Sequence, residues 1–245
     1  MAIIVRAMQN DFLLEEFIHN FYGYGNYRGN YWFIGMEEGG GNSIEEINRR
    51  LNSWNTRGRL ALEDVAEYHF AIGIPKHFRD PAKLQPTWNK LIRILLSAQG
   101  QPGTTDDVRE YQKSSLGRPN GDSCLLELLP LPSPSTGKWL YGQHSSIPYL
   151  KSRKLYSQTC TSFRADHIRS RITEYEPKAV VFYSFSYKDF WQEIAGLDLQ
   201  KSENGEYYIA RENSTLFLIT KHPAAKGVTN QYFENIGELI KNSFT

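Results

Sequence analysis

The chain has 245 residues, enough for one α/β domain with a sizeable core, and a single domain over 1–245 is expected. A formal net charge of +1 excludes a broad polyelectrolyte surface, so any nucleic acid must be held by local basic clusters. Two cysteines, Cys124 and Cys160, cannot supply a four-thiolate iron–sulfur site, Met1 to Val5 is too short for a signal peptide, and no run approaches the roughly 20 apolar residues of a membrane helix. A cytoplasmic monomer with no membrane partner and no cofactor is therefore expected.

Phe12, Leu13, Leu14, Phe17, Ile18 and Phe21 recur at helical spacing between about Asp11 and Tyr22. The Tyr/Gly/Asn-rich run Tyr22 to Asn30 reads as a loop into a buried strand, Tyr31 to Ile34, which runs through Gly35-Met36-Glu37-Glu38 into Gly39-Gly40-Gly41. Asn42 or Ser43 can cap a helix from Ile44 to Trp54, with Glu45 and Glu46 in its first turn. Residues Asn55 to Pro86 show no clear strand and interleave Arg57, Arg59, His69, Lys76, His77 and Arg79 with Tyr68, Phe70 and Phe78. They read either as a cover over one sheet edge or as a substrate-specific insertion at about 55–86. A helix over Thr87 to Ala98 buries Trp88, Leu91, Ile92 and Leu95, and the polar stretch Gln99 to Asp122 is expected to be flexible.

Ser123 to Leu129 is the next strand and ends in the rigid loop Pro130 to Trp139. Gly137-Lys138 is no nucleotide-binding P-loop, because the upstream Gly is missing and Trp139 stands where Ser or Thr must bind Mg²⁺. A helix over Phe163 to Glu176 stopped by Pro177, a strand over Lys178 to Ser184, an apolar strand Leu216 to Ile219 and a helix over Asn230 to Asn242 complete the chain. This helix-then-strand rhythm predicts an α/β fold with three α/β/α layers around a central, mostly parallel sheet.

Two strand ends carry chemistry. The first places Glu37 and Glu38 where the chain leaves the sheet, at the carboxyl edge where such sheets collect ligands, and follows them with three glycines whose N–H groups can approach an anion. At the second, Thr220-Lys221-His222-Pro223 puts a histidine in the equivalent place.

Gly35-Met36-Glu37-Glu38-Gly39 resembles the first motif of the uracil-DNA glycosylase superfamily, in the Gly-Met-Asn-Pro-Gly form of its single-strand-selective branch, and His222-Pro223-Ala224-Ala225 resembles the second. Lys178 to Ser184 is similar to its penultimate core strand. Glu37 and Glu38 depart from the usual residues at their positions. The resemblance implies a monofunctional, metal-free glycosylase with DNA as partner and a uracil-DNA glycosylase-like fold. Glu37 would act on the sugar side and His222 would donate to the departing base, with Met36 and Glu38 beside the base. The backbone of Gly39, Gly40 and Gly41, together with Ser135, Lys138, Lys221 and Lys226, would hold or wedge the DNA. By register Glu127 falls where uracil-excising relatives carry an Asn that reads the base. An ionised Glu only accepts hydrogen bonds, which disfavours uracil and suits the amine of a cytosine. Ordinary cytosine must be spared, so a bulky 5-substituent of the kind found in phage DNA would have to license cleavage, making this a defence enzyme. Excision of uracil or a damaged base in repair is the alternative. Two rivals are a phosphohydrolase using Glu37 and Glu38 as metal ligands, and a module that binds a modified base or nucleotide without chemistry.

Overall fold

The computed structural model describes residues 10–135 and 137–244, so the apolar start at Met1 to Val5 lies outside the described residues. In chain order the elements are α1 (Asp11–Asn20), β1 (Gly23–Gly25), β2 (Tyr31–Glu37), α2 (Ile44–Thr56), β3 (Leu62–Glu63), α3 (Val65–Ala71), α4 (Pro86–Ala98), α5 (Thr105–Ser114), β4 (Ser123–Leu129), α6 (Tyr141–His144), α7 (Arg153–Tyr175), β5 (Ala179–Tyr183), α8 (Lys188–Ala195), β6 (Gln200–Lys201), β7 (Tyr208–Glu212), β8 (Thr215–Thr220) and α9 (Asn230–Asn242). The strands form one sheet in the order β3-β1-β4-β2-β5-β8-β7-β6. Its four central strands are mutually parallel, and β1, β7 and β6 join antiparallel to a neighbour. Helices cover both faces, as the expected three-layer α/β/α architecture requires.

The central strands are apolar because both their faces are covered: β8 is buried at every position and β2 at all but Glu37. Chain order fixes where a ligand can enter. β2 connects to β4 on one side while β5 connects to β8 on the other, so a crevice opens between the carboxyl ends of β2 and β5. α4 and α9 pack together, Leu91 of α4 shares the cavity wall with Phe33 and Leu125 of the sheet, and Trp191 of α8 stacks on Phe182, which points to the opposite face. Arg164 of α7 is fully buried and donates to the main-chain oxygens of Ile18, Phe21, Glu127 and Leu128, tying the end of α1 to β4.

Some expectations fail locally. The polar stretch Gln99 to Asp122 contains the ordered helix α5, whose capping box pairs Thr104 and Asp107. Reciprocal caps satisfy two orphan backbone donors and offset the poor apolar content. Asn55 to Pro86 holds a short strand, β3, paired with β1 at the sheet edge. Helix α7 begins at Arg153, capped by the Ser152 hydroxyl, ten residues before the expected start at Phe163. The β6–β7 hairpin beside β8 was not anticipated, since half-exposed edge strands lack a clear apolar period.

Candidate functional site

A cavity of about 870 Å³ opens at the crevice, and its wall includes Glu37, Glu38, Glu127, Tyr183, His69 and His222. Pairing places Glu127 of β4 directly across from Gly35 of β2, and Tyr183 lies on the far side of the same row on β5. With no side chain on Gly35, the Tyr183 hydroxyl reaches over β2 and donates to Glu127 Oε1 at 3.0 Å. A Cβ at Gly35 would sit 2.0 Å from that hydroxyl, so the glycine is required by close approach rather than by a turn. Glu127 therefore faces the cavity floor.

Its protonation differs from expectation. Burial, helped by the charges of Glu38 and Glu37 and opposed by the Tyr183 hydrogen bond and Arg164, pushes the Glu127 carboxyl up to about 8. At pH 7 it is mostly neutral and presents one donor beside one acceptor, where an ionised group would only accept. Oε1 accepts the hydrogen bond from the Tyr183 hydroxyl, while Oε2 is buried with no hydrogen-bond partner among the described residues.

Glu37 ends β2 and Glu38 follows it, and although both line the cavity they take different partners. Arg153 grips Glu37 Oε2 through Nη2, with Nε at 3.2 Å, and leaves the buried Oε1 without a partner among the described residues. Burial raises the Glu37 pKa above the ordinary value, and Arg153 restrains the rise. Glu38 accepts from Arg50 Nη1 at 3.1 Å and from the Tyr24 hydroxyl at 3.0 Å, so its oxygens serve to neutralise a buried arginine. Among the described residues no group of three or more His, Cys, Asp or Glu is arranged to hold a metal ion. The two adjacent acids are spent on separate cations.

At the other lip, the N–H of Ala224 donates to His222 Nδ1 at 3.0 Å. An accepting Nδ1 leaves the proton of a neutral ring on Nε2, and burial lowers the pKa so that the ring is neutral. His222 thus offers a neutral N–H donor. In His69 and His77 the order is reversed, with Nδ1 at 2.6 Å from the main-chain oxygens of Val65 and Lys83, which leaves each Nε2 as an acceptor. Both rings meet Trp88 edge-on, and with Ile74, Lys76 and Arg79 they show that the 55–86 segment lines the cavity.

Several expected contacts are not made. Met36 is buried on the sheet face away from the cavity, because alternation along β2 sends it opposite to Glu37. The N–H of Gly41 donates to Glu46 Oε1 at 2.9 Å and that of Asn42 to Oε2 at 3.0 Å, so a side-chain carboxylate already occupies the expected anion cradle. Gly41 turns at φ 66°, pressed against Pro132 O, and Gly40 at φ 124° lies under Arg50, while Gly39 is exposed. Lys221 is bound to Glu206 at 2.5 Å and is not free for a phosphate. Ser135, Lys138 and Lys226 are exposed on loops at the same sheet edge but outside the cavity wall.

Sequence reasoning missed Tyr183 and Arg153. The signal for Tyr183 was its place at the end of a strand already recognised, opposite a glycine. Arg153 carries no such signal, since it precedes the stretch Phe163 to Glu176 in which the sequence predicts this helix. No protein-family model matches the chain and no curated protein matches it, so any reading of function rests on the geometry of these residues.

Proposed function

We propose that this protein is a monofunctional DNA glycosylase, which takes a flipped base into the cavity and hydrolyses its bond to the sugar. The observation that carries the reading is the meeting of Glu37 and His222, from opposite ends of the chain, at one cavity with Glu127 on its floor. A base cannot be attacked inside the stack, so the nucleotide must swing out. Its transition state gathers positive charge on the sugar and negative charge on the leaving base. Glu37, held by Arg153 and lining the cavity, orients water toward the sugar carbon and receives its proton. The neutral Nε2–H of His222 is a donor for the base oxygen as charge builds there.

The cavity volume exceeds what a plain pyrimidine fills and suits a larger ligand. The cavity wall includes Trp88, His69 and His77, whose rings would suit a base with a bulky substituent, such as a modified cytosine in phage DNA, and hence a role in defence. Repair of uracil is the second reading, favoured by the donor that a neutral Glu127 can offer O4.

The test is incubation with DNAs carrying uracil, cytosine and 5-substituted cytosines, scored by alkaline strand cleavage. Glu37→Gln and His222→Ala should each lower release about a hundredfold or more while DNA binding changes little. If the wild type leaves no abasic site in any DNA yet still binds a modified one, the chain is a binding module; release that needs added Mg²⁺ would revive the metal-dependent rival.

A further inference from the structure

The contacts expected to hold DNA are spent elsewhere: Glu46 fills the glycine turn and Lys221 is paired with Glu206. Positive charge free to meet a strand collects instead along another part of the cavity's edge. Lys76 and Arg79 belong to the cavity wall and are exposed, and the exposed Lys83 joins them because its N–H donates to the main-chain oxygen of Lys76 at 2.8 Å. On the same wall, a Cβ at Gly73 would lie 3.5 Å from Nη1 of the exposed Arg49 in α2. Lys113, Arg118, Arg153 and Lys221 are each paired with a carboxylate, whereas Arg49, Lys76, Arg79 and Lys83 form no ion pair among the described residues. The acids between Val65 and Gln85 are Glu67 and Asp80, and Lys113 holds Asp80 at 3.0 Å, so this edge keeps a positive surplus.

Beside the cations stands an uncovered ring. Phe70, near the end of α3, is 41% exposed, and the Arg79 guanidinium carbon lies 5.7 Å from its centroid. One exposed phenylalanine means little by itself. Set among four unpaired cations at a cavity mouth, it completes the pair of features by which proteins hold a single strand: charge that tracks phosphates, and a ring on which a base can stack.

We propose that Arg49, Lys76, Arg79 and Lys83 grip the backbone of the DNA strand whose nucleotide enters the cavity, and that Phe70 stacks an unpaired base beside it. This rests on the glycosylase reading, which puts a flipped base in the cavity, and adds the surface that holds its strand. Covalent continuity gives the placement its reason. A base drawn into the cavity leaves its own phosphates at the mouth, and phosphates follow one another along a strand at about 3.4 Å of helix axis, so those flanking the flipped nucleotide stay close to Lys76 and Arg79. Each phosphate contact releases condensed counterions and therefore weakens with salt, while stacking on Phe70 releases none. None of the five side chains has a part in bond cleavage, and all are exposed, so each can be replaced without disturbing the core.

The experiment measures binding of a fluorescein-labelled single-stranded DNA of mixed sequence by anisotropy, between about 50 and 200 mM salt. It compares the wild type, a fourfold variant (Arg49→Gln, Lys76→Gln, Arg79→Gln, Lys83→Gln), Phe70→Ala, and a Lys138→Gln, Lys226→Gln pair, with folding checked by circular dichroism. At roughly 0.7 per single-strand phosphate contact, loss of four contacts should flatten the slope of log affinity against log salt by about 3 and weaken binding about tenfold or more at the low-salt end. Phe70→Ala should weaken binding about tenfold and leave the slope as it is. The proposal is overturned by a wild-type slope in the fourfold variant, by a slope that falls with the Lys138, Lys226 pair instead, or by Phe70→Ala binding as tightly as the wild type. Assay of the same proteins for base release separates this proposal from the reading beneath it. A wild type that binds through this edge but leaves no abasic site in any DNA removes the glycosylase reading and supports the surface; a wild type that releases a base while the fourfold variant keeps its slope removes the surface alone. A wild type that binds no DNA overturns both.

Discussion

Replacing Gly35 by Ala tests the geometry of the floor without touching any ionisable group. The added Cβ would lie 2.0 Å from the Tyr183 hydroxyl oxygen and 2.4 Å from both Tyr183 Cζ and Glu127 Oε2. No rotation of a methyl group relieves such contacts, and β2 is hydrogen-bonded on both sides, so Tyr183 or Glu127 must move. Overpacking costs about 1–3 kcal/mol, and breaking the Tyr183–Glu127 bond in an enclosed site adds about 1–3 kcal/mol. A loss of about 4 kcal/mol lowers the melting temperature by roughly 8–16 °C for a chain of this size. Thermal denaturation followed by circular dichroism at pH 7 reads it directly. A double-mutant cycle with Tyr183→Phe sharpens the test, because removing the hydroxyl removes the nearest atom while leaving Cζ. The two changes should be non-additive by about 1 kcal/mol or more. A Gly35→Ala protein that melts within 2 °C of wild type, or a cycle that adds without coupling, would show that the residues do not meet as described.

Arg164→Met should destabilise by about 3–5 kcal/mol in urea unfolding, because it strands enclosed main-chain oxygens that the guanidinium now serves. Arg153→Met removes the cation that restrains the Glu37 pKa, so the acid limb of the pH–activity profile should shift to higher pH; an unmoved limb would separate Arg153 from the working carboxylate. Glu127 also leaves a mark on stability. Its folded pKa is raised from the ordinary 4.5 to about 8, so the folded state holds the proton more tightly and its contribution is fully present below pH 4.5 and lost as pH rises to about 8. Unfolding free energy should fall across that window by no more than about 1.4 kcal/mol per pH unit from this group, and Glu127→Gln should flatten the slope.

Much of the architecture was legible in the chain because its signals are local. The apolar strands at Tyr31, Ser123, Lys178 and Leu216, the Ser43 cap, the stop at Pro177 and the closing helix over Asn230 to Asn242 each depend on near neighbours in sequence. Glu37 and His222 were legible as candidates for the same reason: a parallel strand delivers the residues at its end to the carboxyl edge whatever its neighbours are. Their partners were not. That Arg50 holds Glu38, that Arg153 holds Glu37 and that Glu46 fills the glycine turn depend on where helices come to rest against strand ends. The state of Glu127 was furthest from the sequence. Its register position could be read from the strand, but its proton is set by enclosure at the cavity floor, by the missing side chain of Gly35 and by the Tyr183 hydroxyl from another strand. Sequence supplies the identity of an ionisable group, whereas the surrounding dielectric and charges, which decide whether that group is charged, exist only once distant segments have packed around it.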